Sequence, residues 1–156
     1  MNKKDLKPAS VFYYFEEICQ VPRPSKREEK IIAYLKAFGR KHGLETKTDE
    51  VGNVLIKKPA TPGKENLKTV ILQSHIDMVC EKNSDVEHDF LIDPIDTVVD
   101  GEWLKAKGTT LGADNGIGVA TELAILAATD IEHGPLECLF TCLLYTSPSP
   151  RDGLLS

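Results

Sequence analysis

The sequence predicts an α/β fold, a mixed sheet flanked by helices. Three observations carry this expectation. An apolar run of strand character at residues 69–72 ends in the polar stretch Gln73-Ser74-His75-Ile76-Asp77. Two stretches of helical spacing precede it, and a third, apolar nearly all round, follows at residues 115–129. A second apolar strand comes after that helix, at residues 136–141. Strands alternating with helices, rather than segregated from them, point to a layered α/β domain.

Composition narrows the class. A chain of 156 residues suits one domain with a modest core. With 41% hydrophobic and 28% charged residues it is an ordinary soluble globular composition. A net charge of −5 argues against nucleic acid as the main partner. No apolar run approaches a membrane span, and no apolar segment follows the N-terminus as in a signal peptide, so a cytoplasmic protein is expected. Cys19, Cys80, Cys138 and Cys142 form no C-x-x-C pair and read as reduced cytosolic thiols.

Each element has its own signal. Residues 8–20 read as a helix with Pro8 in its first turn. Val11, Phe12, Phe15, Ile18 and Cys19 recur at helical spacing and form its core stripe. Val21-Pro22-Arg23-Pro24 breaks that helix. Ser25 and Glu28 match a capping box, Ser25 closing the next helix and Glu28 reaching back. This second helix is expected to run to about Lys41, burying Ile31, Leu35 and Phe38, and to stop at Gly43. Residues 45–48 and 53–57 read as paired strands around Asp49-Glu50-Val51-Gly52, and residues 59–66 as a Pro/Gly/Lys loop. Val70, Ile71 and Leu72 lack polar alternation, which suits a strand buried on both faces.

Residues 81–96 are acidic and irregular. His88 lies among them without a partner motif, so a solvated loop outweighs a loop metal site. Residues 97–99 and 103–106 suggest a hairpin across Asp100-Gly101, with Trp103 as a packing residue. The helix at 115–129 is expected to lie buried against the sheet. His133 sits in the turn before the last strand and reads as structural.

Two stretches carry chemistry. In open α/β sheets, ligands collect outside the carboxyl ends of strands, where His75 and Asp77 fall. A neutral imidazole is the commonest metal ligand, and its second ring nitrogen needs an orienting carboxylate or carbonyl. Taken alone, His-x-Asp favours a solvated loop histidine beside a surface aspartate. The second stretch is Gly108-Thr109-Thr110-Leu111-Gly112-Ala113-Asp114-Asn115-Gly116-Ile117-Gly118. Its glycines do not fit G-x-G-x-x-G, and no Gly-Lys-Ser/Thr follows. A carboxylate at the centre of such a loop repels phosphate and attracts a cation.

Gln73-Ser74-His75-Ile76-Asp77-Met78-Val79 followed by Leu111-Gly112-Ala113-Asp114-Asn115-Gly116 resembles the di-zinc exopeptidases and deacylases that include aminoacylase and carnosinase. The likeness is closest to the bacterial aminoacyl-histidine, or cytosol non-specific, dipeptidases. It covers about residues 6–141, with 39 positions between His75 and Asp114. The resemblance implies that residues 1–141 are the first part of a zinc-exopeptidase catalytic domain. It implies His75 as a ligand of one zinc, Asp114 as the carboxylate bridging two zincs, and Asp77 as the catalytic-site carboxylate that orients His75. Two zinc ions are implied, with manganese or cobalt as alternatives. The implied substrate is a dipeptide, of Xaa-His type or broad, and the implied parent is a homodimer. The resemblance also suggests a cis peptide between Asp114 and Asn115.

One departure matters. The family has a Glu-Glu pair after the next strand, one residue the general base and the next a ligand. This chain reads Cys142-Leu143-Leu144-Tyr145-Thr146-Ser147-Pro148-Ser149-Pro150 there. Residues 142–156 therefore read as an unrelated or disordered tail, and the reading favoured here is an interrupted coding sequence followed by foreign read-through. On that reading the 156-residue chain is inactive, the strand at 136–141 loses its downstream neighbours, and apolar surface is left open. Two other readings stay open: a non-enzymatic domain in which His75 and Asp114 are structural, and an amide deacylase of the same superfamily.

Overall fold

The computed structural model describes residues 3–143; residues 144–156 of the expected tail lie outside the described residues. A single 3-10 turn, Lys3–Asp5, leads into helix α1, Ala9–Cys19, with Pro8 at its N-cap. Helix α2 is Glu29–Lys41, and Gly43 follows it with φ +65, the left-handed stop expected there. Strands β1, Glu45–Thr48, and β2, Val54–Lys58, pair antiparallel. Then come β3, Val70–His75, the hairpin of β4, Thr97–Asp100, and β5, Trp103–Ala106, helix α3, Ala113–Ala127, and β6, Leu136–Thr141. The four-stranded sheet has the order β1-β2-β6-β3, with β2/β6 antiparallel and β3/β6 parallel. The sheet is mixed and the fold is α/β, as the sequence predicts.

The core lies on one face of this sheet. Val54 pairs with Phe140 and Ile56 with Cys138, so all four share a face, and all four are buried. They join Phe15 and Ile18 of α1, Ile31, Leu35 and Phe38 of α2, and Val119, Leu123 and Leu126 of α3 in one cluster. Lys57 and Glu137, opposite each other on the other face, form an ion pair of 2.7 Å. Helix α3 packs against α1 and β3, the burial expected for its nearly all-round apolar surface.

Four expectations are corrected. Strand β3 is not buried on both faces: it is an edge strand, with Val70 50% and Ile71 63% exposed. The strand at 136–141 has not lost its neighbours: β6 is interior between β2 and β3, and among the described residues the edges of this sheet are β1 and β3. Trp103 is 70% exposed, because it sits opposite Asp100 at the turn of a separate two-stranded sheet, while Leu104 and Ala106 pack toward the core. The fourth correction concerns Ser25. Helix α2 has Glu28 at its N-cap with no side-chain cap bond, and the Glu28 carboxylate accepts instead from the Lys26 amide. The Ser25 hydroxyl is engaged elsewhere.

Candidate metal centre

His75 closes β3, and the parallel ladder continues one step beyond it, the Ile76 amide donating to the Thr141 carbonyl at 2.9 Å. Alternation along this extended stretch puts His75 and Asp77 on one side, with Ile76 fully buried between them. His75 Nδ1 lies 3.0 Å from Asp77 Oδ1. The other Asp77 oxygen accepts from the Ser25 hydroxyl at 2.6 Å, which is where that hydroxyl goes instead of capping α2. Both oxygens of the buried carboxylate are thus used, as burial requires.

Asp114 approaches from the other segment. Gly112 has φ +69, and the backbone at Asp114 and Asn115 departs from the helix before α3 proper begins. The peptide between Asp114 and Asn115 is cis, as the resemblance suggested. The Asn115 side-chain oxygen then accepts from the Gly118 amide at 3.2 Å, and a Cβ on Gly118 would lie 2.3 Å from that oxygen. Gly118 therefore makes room for the bond that starts the regular helix. The outcome is His75 Nε2 at 3.2 Å from Asp114 Oδ1. The side chains of His75 and Asp77 are nearly enclosed, whereas that of Asp114 is 94% exposed.

Loop-to-loop bonds hold the two segments in register. The Thr110 hydroxyl donates to the Val79 carbonyl at 2.7 Å, the Thr110 amide to Glu81 at 2.8 Å, and the Asn83 amide to Gly108 at 2.8 Å. The other histidines stay apart. His42 follows α2 and lies tilted over Phe38, His88 is half-buried and meets Phe90 edge-on, and His133 lies 2.8 Å by Nδ1 from the Gly134 carbonyl. Among the described residues no group of three or more His, Cys, Asp or Glu side chains converges. Sequence reasoning brought together His75, Asp77 and Asp114. It missed Ser25, because the capping-box pattern gave that hydroxyl a local partner.

No family model matches the chain. Over 148 residues it is 52% identical to the cytosol non-specific dipeptidase of Escherichia coli, a match covering 95% of this chain and 30% of the relative. The crystal structure of an aminoacylhistidine dipeptidase from Vibrio alginolyticus superposes with a TM-score of 0.89 at 52% identity, over 92% of this chain and 29% of that one. A tripeptidase from Staphylococcus aureus and an aminopeptidase from Bacillus cereus share the fold, with TM-scores of 0.68 and 0.70 at 24% and 23% identity. Each of these matches covers 91% of this chain and 37% of the other. The chain spans about a third of the length of these relatives. By sequence and by fold, it is similar to bacterial proteins named cytosol non-specific dipeptidase and aminoacylhistidine dipeptidase.

Proposed function

We propose that this chain is the first part of a metal-dependent dipeptidase, with His75 and Asp114 as metal ligands and Asp77 holding the His75 imidazole. The observation that carries the reading is one imidazole facing two carboxylates, Asp77 at 3.0 Å and Asp114 at 3.2 Å. A neutral imidazole has one N–H. If Nδ1 donates to Asp77, the lone pair of Nε2 faces a carboxylate oxygen, and a cation between them satisfies both. The exposure of Asp114 supports this over a structural pairing, since structural polar groups are satisfied internally.

The donors fit a metal in kind. Imidazole nitrogen and carboxylate oxygen are both zinc ligands, and manganese or cobalt is compatible with them. They do not complete a site, because a catalytic zinc commonly keeps three protein ligands. Bound metal supplies a water of lowered pKa and polarises the substrate carbonyl. In this chain, Asp77 fixes the ring orientation of His75, and the glycine-flanked loop presents Asp114. The general base that takes a proton from the attacking water has no candidate after Thr141, where the sequence reads Cys142-Leu143-Leu144.

The names of the relatives support a dipeptide as substrate, of Xaa-His type or broad. Two zinc ions, a homodimeric parent and a cytoplasmic location belong to the same proposal. So does the division into 1–141 and 142–156, although the Cys142 amide donates to the Asn53 side chain at 2.8 Å.

The test uses this chain extended by the downstream sequence of the Escherichia coli relative. Asp77→Ala is expected to lower dipeptidase kcat about 10–100-fold, the usual loss when a partner of a metal-bound histidine is removed. Its thermal midpoint should move by only a few degrees. Unchanged turnover reduces Asp77 to an ordinary buried acid.

A further inference from the structure

Arg23 lies on the loop between α1 and α2 and is 2% exposed, less than any other charged residue described. A buried guanidinium is costly unless its donors are used. Here Nη1 donates to the Ile76 carbonyl at 3.2 Å and Nη2 to the Gly112 carbonyl at 2.8 Å. Ile76 stands between His75 and Asp77, and Gly112 stands two residues before Asp114. One rigid cation therefore ties together the two segments that carry the candidate ligands. The glycine-rich loop is built around it. A Cβ added to Gly112 or to Gly116 would lie 2.7 Å from Arg23 Nη2.

The neighbouring residues extend the tie. The Met78 amide donates to the Arg23 carbonyl at 3.1 Å, and the Ser25 amide donates to the Met78 carbonyl at 3.3 Å. Pro24 forms a parallel bridge with Met78. Residues 23–25 thus run beside residues 76–78 as a short added strand, and Ser25 reaches Asp77 from it.

We propose that Arg23 and Ser25 are positioning residues of the candidate metal centre. Arg23 sets the separation of His75 and Asp114, and Ser25 fixes the carboxylate that orients His75. This rests on the reading of His75 and Asp114 as ligands. A planar fork of donors spans two carbonyls, which the point charge of a lysine does not.

The test is the long-range proton–nitrogen NMR spectrum of the His75 ring, recorded on the metal-free 156-residue chain and then through a zinc titration. Wild type should show one tautomer, with Nδ1 protonated. Arg23→Met leaves a side chain of comparable length and no unpaired buried charge, at the cost of a lost donor to the Ile76 and Gly112 carbonyls. Its His75 ring lines should broaden or split, and its zinc Kd should rise about 10-fold. Ser25→Ala should act in the same direction. Ser25→Thr should restore the wild-type lines, and Arg23→Lys should not. Unchanged ring lines and zinc Kd in Arg23→Met and Ser25→Ala overturn the proposal, even with a lowered denaturation midpoint. If Arg23→Met fails to fold, the Ser25 pair decides. A wild-type chain whose His75 lines ignore zinc overturns the ligand reading, and the positioning role then stands or falls on the metal-free ring lines.

Discussion

The purified 156-residue chain, supplied with zinc or manganese, is expected to hydrolyse no dipeptide above background. The reason is a count of groups. Losing a general base alone typically costs about 10²–10⁴ in rate. On the proposed reading, neither a general base nor the third ligand that a catalytic zinc commonly needs joins His75 and Asp114 among the described residues, so metal affinity and transition-state stabilisation should fail together. Among the described residues, His75 and Asp114 are the donors that converge, and no third joins them. The comparison is the same chain extended by the downstream sequence of the Escherichia coli relative, which should turn over dipeptides. Metal-dependent turnover by the short chain would show that the ligand count is wrong. Activity in neither version would favour a non-enzymatic domain.

Replacing Glu122 by methionine should raise the stability of the chain at pH 7 by about 3 kcal/mol. Glu122 lies on α3, buried, with Oε2 lacking a hydrogen-bond partner. Burial pushes its carboxyl from the ordinary 4.5 up to about 8, with Ser74 acting in the opposite direction. In the unfolded chain the group ionises above about pH 4.5, while in the folded chain it keeps its proton until about pH 8. Between those values the folded state binds more protons, so stability falls as pH rises and levels off above the folded value. Each pH unit in the window costs about 1.4 kcal/mol, or roughly 3 kcal/mol by pH 7. Methionine removes both the titration and the unpartnered oxygen at similar volume. Urea denaturation at pH 5, 7 and 8.5 reads the effect. The wild-type curve should decline across that range more steeply than that of Glu122→Met. Parallel curves would mean that Glu122 ionises freely in the folded chain.

The parts of this structure that were legible in the sequence are those written locally. Val119, Leu123 and Leu126 sit at helical spacing, and α3 formed with that face inward. Gly43 stands where a left-handed residue ends α2. His75, Asp77 and Asp114 were found because a strand end and a glycine turn each mark a short stretch, and the fold brings those stretches to 3.2 Å.

What was misread depends on neighbours. Val70 and Ile71 are apolar without alternation, yet burial on both faces requires strands and layers that the described residues do not supply, and β3 is an edge. Ser25 satisfied a local capping pattern, but the buried oxygen of Asp77, 52 residues away, is the partner it takes. Capping would turn the Ser25 oxygen toward an α2 amide as an acceptor, whereas the side chain turns to the buried carboxylate, which needs its hydroxyl as a donor. Arg23 left no pattern at all, since its acceptors are backbone carbonyls.

The central claim is that His75 and Asp114 bind one metal ion. Crystals of the 156-residue chain soaked in zinc, with data collected on both sides of the zinc absorption edge, test it most directly. The account predicts an anomalous peak about 2.0–2.2 Å from both His75 Nε2 and an Asp114 carboxylate oxygen, with Asp77 still on Nδ1. A map with no peak there, and His75 Nε2 still 3.2 Å from Asp114 Oδ1, would contradict it.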